Sequence, residues 1–73
     1  MKDLQKFWVL VLGERYTNSE STEEYDDFDD ARADFINLSQ YERDTYRYIV
    51  LQEVETNYED YEEITELERW EDE

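Results

Sequence analysis

The sequence predicts a small α+β domain: a single layer of about three β-strands packed against one α-helix, in the order β-α-β-β. Three observations lead there. Residues 7–12 (FWVLVL) and 45–55 (TYRYIVLQEVE) are short, β-branched and aromatic, the composition of strands. Between them, Phe28, Ala31, Phe35 and Leu38 recur at the 3-4-3 spacing that lines one face of a helix. Finally, the 73 residues include 12 aromatics, no proline and one glycine. Disordered chains are poor in aromatics, so the chain reads as folded despite a formal charge of -16.

The first strand is apolar on both alternating faces: Phe7, Val9 and Val11 on one, Trp8, Leu10 and Leu12 on the other. Two apolar faces point to a central strand, and Gly13 permits a bend after it. Residues 17–24, TNSESTEE, contain no apolar side chain and read as a loop. An extra short strand after Gly13 is compatible with the order. The helix is expected over residues 26–40. Asp26 or Asp27 can cap it, and Asp29 and Asp30 fall in the first turn, where the helix dipole favours negative charge.

The second strand places Tyr46, Tyr48, Val50 and Val54 on one face and Ile49 and Leu51 on the other. Asn57 and Asp60 supply turn chemistry after it. Residues 62–70, EEITELERW, fit either a strand or a helix. A strand is favoured, with Ile64 and Trp70 on one face and Thr65, Leu67 and Arg69 on the other, forming a hairpin with residues 45–55. If the strands flanking the helix are parallel, the crossover is right-handed. The expected core is Phe7 or Trp8, Val9, Val11, Phe28, Phe35, Leu38, Ile49 or Val50, and Leu51.

Residues 1–73 form one domain at most. The chain has no cysteine and no histidine, which excludes a disulfide framework, the usual zinc ligand sets and the commonest catalytic bases and nucleophiles. One glycine cannot build a phosphate-binding loop. No catalytic residues, no metal site and no cofactor are therefore expected, and the chain is not read as an enzyme. The acidic run YDDFDDARADF has oxygen ligands but lacks the sixth-position glycine of a calcium-binding loop. The apolar run of residues 7–12 is too short to cross a bilayer, and a soluble cytoplasmic protein is expected.

Charge is distributed unevenly. Residues 1–16 carry three bases and two acids, whereas residues 17–73 carry 21 acids and four bases. That asymmetry points to a charged face rather than a uniform halophilic coat. Same-face carboxylates on a strand repeat at roughly 6.6 Å, and helical neighbours lie about 5–6 Å apart. Nucleic-acid phosphates recur at about 3.4 Å per strand. A fixed carboxylate array can thus occupy a groove built for a phosphate backbone. The candidate contact residues are Asp26, Asp27, Asp29, Asp30 and Asp34 from the helix and Glu59, Asp60, Glu62, Glu63, Glu66 and Glu68 from the hairpin. Tyr25, Tyr41, Tyr58 and Tyr61 are interleaved with the acids. They serve either as interface anchors or as ordinary partial core.

A short acidic cysteine-free chain with DDFDDARADF and YEDYEEITELE resembles the small DNA-mimic inhibitors of phages and mobile elements: anti-CRISPR proteins, anti-restriction proteins and uracil-DNA glycosylase inhibitors. The resemblance is one of class, resting on composition and element order, and carries over no individual residue. It implies stoichiometric, non-catalytic inhibition of a basic nucleic-acid-binding host protein, such as a Cas protein, a restriction enzyme or a repair enzyme, in competition with nucleic acid. The alternatives are an acidic assembly module that binds a basic partner without mimicry, and acids that serve solubility alone. A homodimer formed by pairing strand edges of residues 6–12 or 46–52 is a further expectation.

Overall fold

The computed structural model describes residues 3–72. It contains four strands and one helix in the order β1 (Gln5–Glu14), β2 (Glu20–Tyr25), α1 (Phe28–Tyr41), β3 (Tyr46–Thr56) and β4 (Glu62–Glu71). All four strands form one antiparallel sheet with spatial order β2-β1-β3-β4. The fold is therefore a mainly-β α+β arrangement, β-β-α-β-β. This corrects the three-stranded β-α-β-β expectation.

The difference is β2. Its sequence, ESTEEY, has no apolar alternation because it is an edge strand, exposed along most of its length. Backbone pairing with β1, from Trp8↔Tyr25 to Gly13↔Glu20, holds it in the sheet. Main-chain hydrogen bonds need no particular side chain, so a polar strand is invisible to pattern reading. Only the start of the 17–24 stretch is a loop, where Ser19 N donates to Thr17 Oγ1 and Glu14 N to Ser19 O. The extra reversal also makes β1 and β3 antiparallel, so no parallel crossover exists.

Helix α1 starts where its sequence directs. Asp27 is the N-cap, and its carboxylate accepts from Asp29 N at 2.8 Å. The helix lays Ala31 and Phe35 over Leu10 and Leu12 of β1 and Ile49 and Leu51 of β3, with Trp8, Tyr25, Leu38, Tyr46 and Trp70 packed around them. Leu10, Ile49 and Leu51 are fully buried, each contributing about 1.5–3 kcal/mol by leaving water. At the start of the helix, Phe28 meets Trp8 edge-on with ring centroids 6.1 Å apart. The expected core thus omitted Leu10 and Leu12. Val9, Val50 and Val54 belong to the opposite face of the sheet, which no second layer covers. They are buried nonetheless, shielded by neighbouring side chains of the same face.

Two register shifts reverse expected faces. β3 pairs Tyr48 with Gly13 but Tyr46 with Glu14, which leaves Arg47 as the extra residue. The bulge turns Tyr46 toward the helix, away from Tyr48 and Val50. On β4, Glu68 pairs with Leu51 and Glu66 with Gln52, leaving Leu67 as the extra residue. Trp70, paired with Ile49, therefore lies on the helix side. Ile64, paired with Val54, lies on the open side, so the two do not share a face. The hairpin of β3 and β4 itself is as expected.

A candidate acidic interface

The structure assigns different work to the carboxylates singled out from the sequence. Asp27 caps the helix, and Asp26, Asp29 and Asp30 are exposed beside it. Asp34, one turn further on, accepts from Tyr25 Oη at 2.7 Å, tying the helix to β2. Burial, and then this hydrogen bond to a carboxylate, push the Tyr25 hydroxyl pKa up. On the other flank of the helix, Arg32 Nε donates to Glu68 Oε2 at 3.1 Å, tying it to β4.

The hairpin acids do not share a face. Glu68 pairs with Leu51 and Glu63 with Glu55, on the helix side. Glu62 and Glu66 lie opposite Thr56 and Gln52, on the open side. Glu66 bonds Arg69 (2.9 Å to Nε), and Glu71 bonds the same guanidinium. These hydrogen bonds raise the Arg69 pKa. Tyr61 Oη donates to Glu63 Oε2 at 2.6 Å. Glu59 and Asp60 belong to the turn at residues 57–61. There Asn57 Oδ1 accepts from the backbone N–H of Glu59, Asp60 and Tyr61, and Asn57 Nδ2 donates to Asp60. Asn57 and Asp60 thus form the turn as expected.

Where the cations go decides what the surface presents. Lys6 pairs with Glu53 (3.4 Å) and Glu55 (3.8 Å), and Arg15 with Asp72. Arg43 Nε donates to Ser39 O at 2.8 Å near the end of the helix. Arg47 stacks over the Tyr48 ring with Cζ 5.8 Å from its centroid. Together with Arg32 and Arg69, these surface cations have partners within the chain, on β1, β3, β4, α1 and their flanking residues. The segment from Glu20 through Asp30 receives none: among the described residues no ion pair reaches it, and residues 16–31 contain no Lys or Arg.

Among the described residues that segment is uncompensated by ion pairs. It carries seven carboxylates, Glu20, Glu23, Glu24, Asp26, Asp27, Asp29 and Asp30. The sequence reading found its second half but missed Glu20, Glu23 and Glu24, because residues 17–24 looked like a loop. Pairing with β1 fixes them on a rigid edge. Glu20 also accepts a hydrogen bond from Tyr48 Oη, two strands away across Gly13. The bond to this carboxylate is the main cause of the raised Tyr48 pKa.

Six strand residues extend about 17 Å, and the cap with the first helical turn adds roughly 6 Å. Along β2 the side chains alternate: Glu20 and Glu24, opposite Gly13 and Val9, stand on the open side about 13 Å apart, and Glu23, opposite Leu10, stands on the helix side.

Apart from this edge, the turn at residues 57–61 and the start of β1 enclose an open cavity of about 540 Å³, lined by Phe7, Thr56, Tyr58, Glu59, Asp60, Tyr61 and Glu62. Among the described residues no three carboxylates converge on a metal position. None of the helices there is long and apolar enough to cross a membrane. The edges expected to pair between chains, in residues 6–12 and 46–52, belong to the two inner strands and are already occupied on both sides. The free edges are β2 and β4, both rich in acid, which disfavours pairing between copies.

Fold and surface together define a class: a helix-backed antiparallel sheet with acidic edge strands. Comparison with protein-family models, with curated proteins and with solved structures finds no match to this chain.

Proposed function

We propose that this chain is a non-enzymatic inhibitor. It offers a nucleic-acid-like acidic edge to a DNA- or RNA-binding protein in the cytoplasm of a host cell, as a phage-encoded counter-defence protein of the anti-CRISPR or anti-restriction kind would. The observation that carries this reading is the run from Glu20 to Asp30. Seven carboxylates stand there on a paired strand and a capped helix, and among the described residues no ion pair reaches them.

Like charges held within the screening length, about 8 Å at physiological salt, repel. A rigid scaffold keeps them there, and a cleft lined by Lys and Arg relieves the repulsion on binding. The same field steers association. A cleft that evolved for a phosphate backbone carries the sign of charge this edge requires.

The test is retention of host proteins on the immobilised chain, followed by competition. Duplex DNA or guide RNA is expected to displace the retained protein. The quadruple variant Glu23→Gln, Glu24→Gln, Asp26→Asn, Asp30→Asn is expected to weaken retention more than tenfold and to flatten its salt dependence. It spares Asp27 and Asp34, which hold the helix. A partner that stays bound in the presence of excess nucleic acid would identify an assembly module instead and end the mimicry reading.

A further inference from the structure

We propose that the cavity between Phe7 and the 57–61 turn receives an arginine side chain of the partner protein. The inference rests on the partner being basic, as proposed above, and adds a second, specific contact at the end of the sheet where β3 turns into β4.

Three aromatic residues are among those that line it. Phe7 is half-buried and pairs with Val54, which fixes it on the open face. Tyr58 is 67% exposed and Tyr61 40%, so both rings present surface to an incoming group. Neither is loose. Asn57 holds the turn through its three backbone bonds, and the Tyr61 hydroxyl is occupied by Glu63. The floor is Thr56, 4% exposed, whose Oγ1 donates to Tyr61 O at 2.8 Å and accepts from Tyr58 N at 2.9 Å. With its hydroxyl so engaged, the floor offers a ligand mainly packing. Polarity comes from Glu59, Asp60 and Glu62 among the lining residues; Asp60 already accepts from Asn57 Nδ2, which leaves Glu62 as the carboxylate for an incoming donor.

Aromatic and acidic lining residues together select the ligand. Anions are repelled. A neutral apolar group gains nothing from the carboxylates. A bare metal ion needs convergent oxygen ligands, and none are gathered among the described residues. A planar cation satisfies both features: guanidinium stacks on ring faces and presents its N–H fork to carboxylates, whereas an ammonium is more strongly hydrated. The volume lies within the range of small-ligand pockets, about 300–1,000 Å³, and leaves room for the flanking backbone of an arginine-bearing loop.

The experiment titrates the whole chain with the peptide acetyl-Gly-Arg-Gly-amide, and separately with its citrulline counterpart, at physiological salt, following ring and amide NMR signals. Saturable shifts confined to Phe7, Thr56, Tyr58, Tyr61 and Glu62 are expected with arginine and not with citrulline. Tyr58→Asn, which removes one exposed ring, is expected to weaken the arginine peptide about two- to fivefold, and Glu62→Gln to act in the same direction. Equal shifts with citrulline, or non-saturating shifts spread over β2 and α1, would overturn the proposal. Failure of nucleic acid to displace the partner would leave arginine saturation of this pocket unchanged, so the two readings fall separately.

Discussion

Replacing Gly13 with alanine tests how the open face of the sheet is built. Gly13 sits between Tyr48 on β3 and Glu20 on β2. The Tyr48 ring crosses it to reach the Glu20 carboxylate and occupies the space a Cβ would need. An alanine there has to lift the ring. The lost hydrogen bond, on an exposed surface, costs about 0.5–1 kcal/mol. Returning roughly 50 Å² of ring surface to water costs about 1.2 kcal/mol at 25 cal/mol per Å². Against these stands the gain from removing a glycine inside a strand, about 0.5–1 kcal/mol. The net is a loss of about 1 kcal/mol, or roughly 4–8 °C in Tm for a domain of this size.

In a Tyr48→Ala background nothing is displaced and only the glycine gain remains, so the same substitution changes sign and stabilises. Four proteins measured by thermal and urea denaturation complete the cycle. Additive effects, with Gly13→Ala neutral or stabilising in the native background, would refute the packing of Tyr48 on Gly13.

Two further outcomes are expected. The Tyr25 hydroxyl holds its proton above the ordinary tyrosine pKa of 10.0 because of burial and its bond to Asp34. Its contribution to stability is therefore complete below about pH 10 and is lost as pH rises beyond it. Melts between about pH 9 and pH 12 should show a shallower alkaline decline for Tyr25→Phe than for the native chain, and equal slopes would contradict the assignment. Tyr58 has φ 64°, a left-handed conformation that costs an ordinary L-residue about 1–2 kcal/mol. Tyr58→Asn, which tolerates it, should raise stability by about 0.5–1 kcal/mol in urea titrations, even as it weakens the arginine peptide. A drop in stability would show the ring to be part of the folding core.

Much of the architecture was legible because its signals are local. The apolar faces of residues 7–12 marked an inner strand. The 28, 31, 35, 38 spacing marked the helix, of which Ala31 and Phe35 are buried while Phe28, expected in the core, stays exposed at its start, and Asp27 marked that start. The 57–61 turn followed from Asn57 and Asp60, whose side chains satisfy backbone groups within a few residues. The excess of acid was equally plain, and so was the lack of the side chains that common enzymes use.

What stayed hidden depends on partners distant in the chain. ESTEEY is a strand only because β1 offers it an unpaired edge, and main-chain hydrogen bonding leaves no mark on side-chain pattern. The bulges at Arg47 and Leu67 turn Tyr46 and Trp70 toward the helix because the neighbouring strands impose a register that period-two counting along one segment does not contain. The proposed hairpin acids divided between two faces for the same reason. The sum of charge is a property of composition. Which carboxylates remain uncompensated depends on where Lys6, Arg15, Arg32 and Arg69 find their partners, and those pairings exist only once the sheet has brought β1, β3, β4 and α1 together.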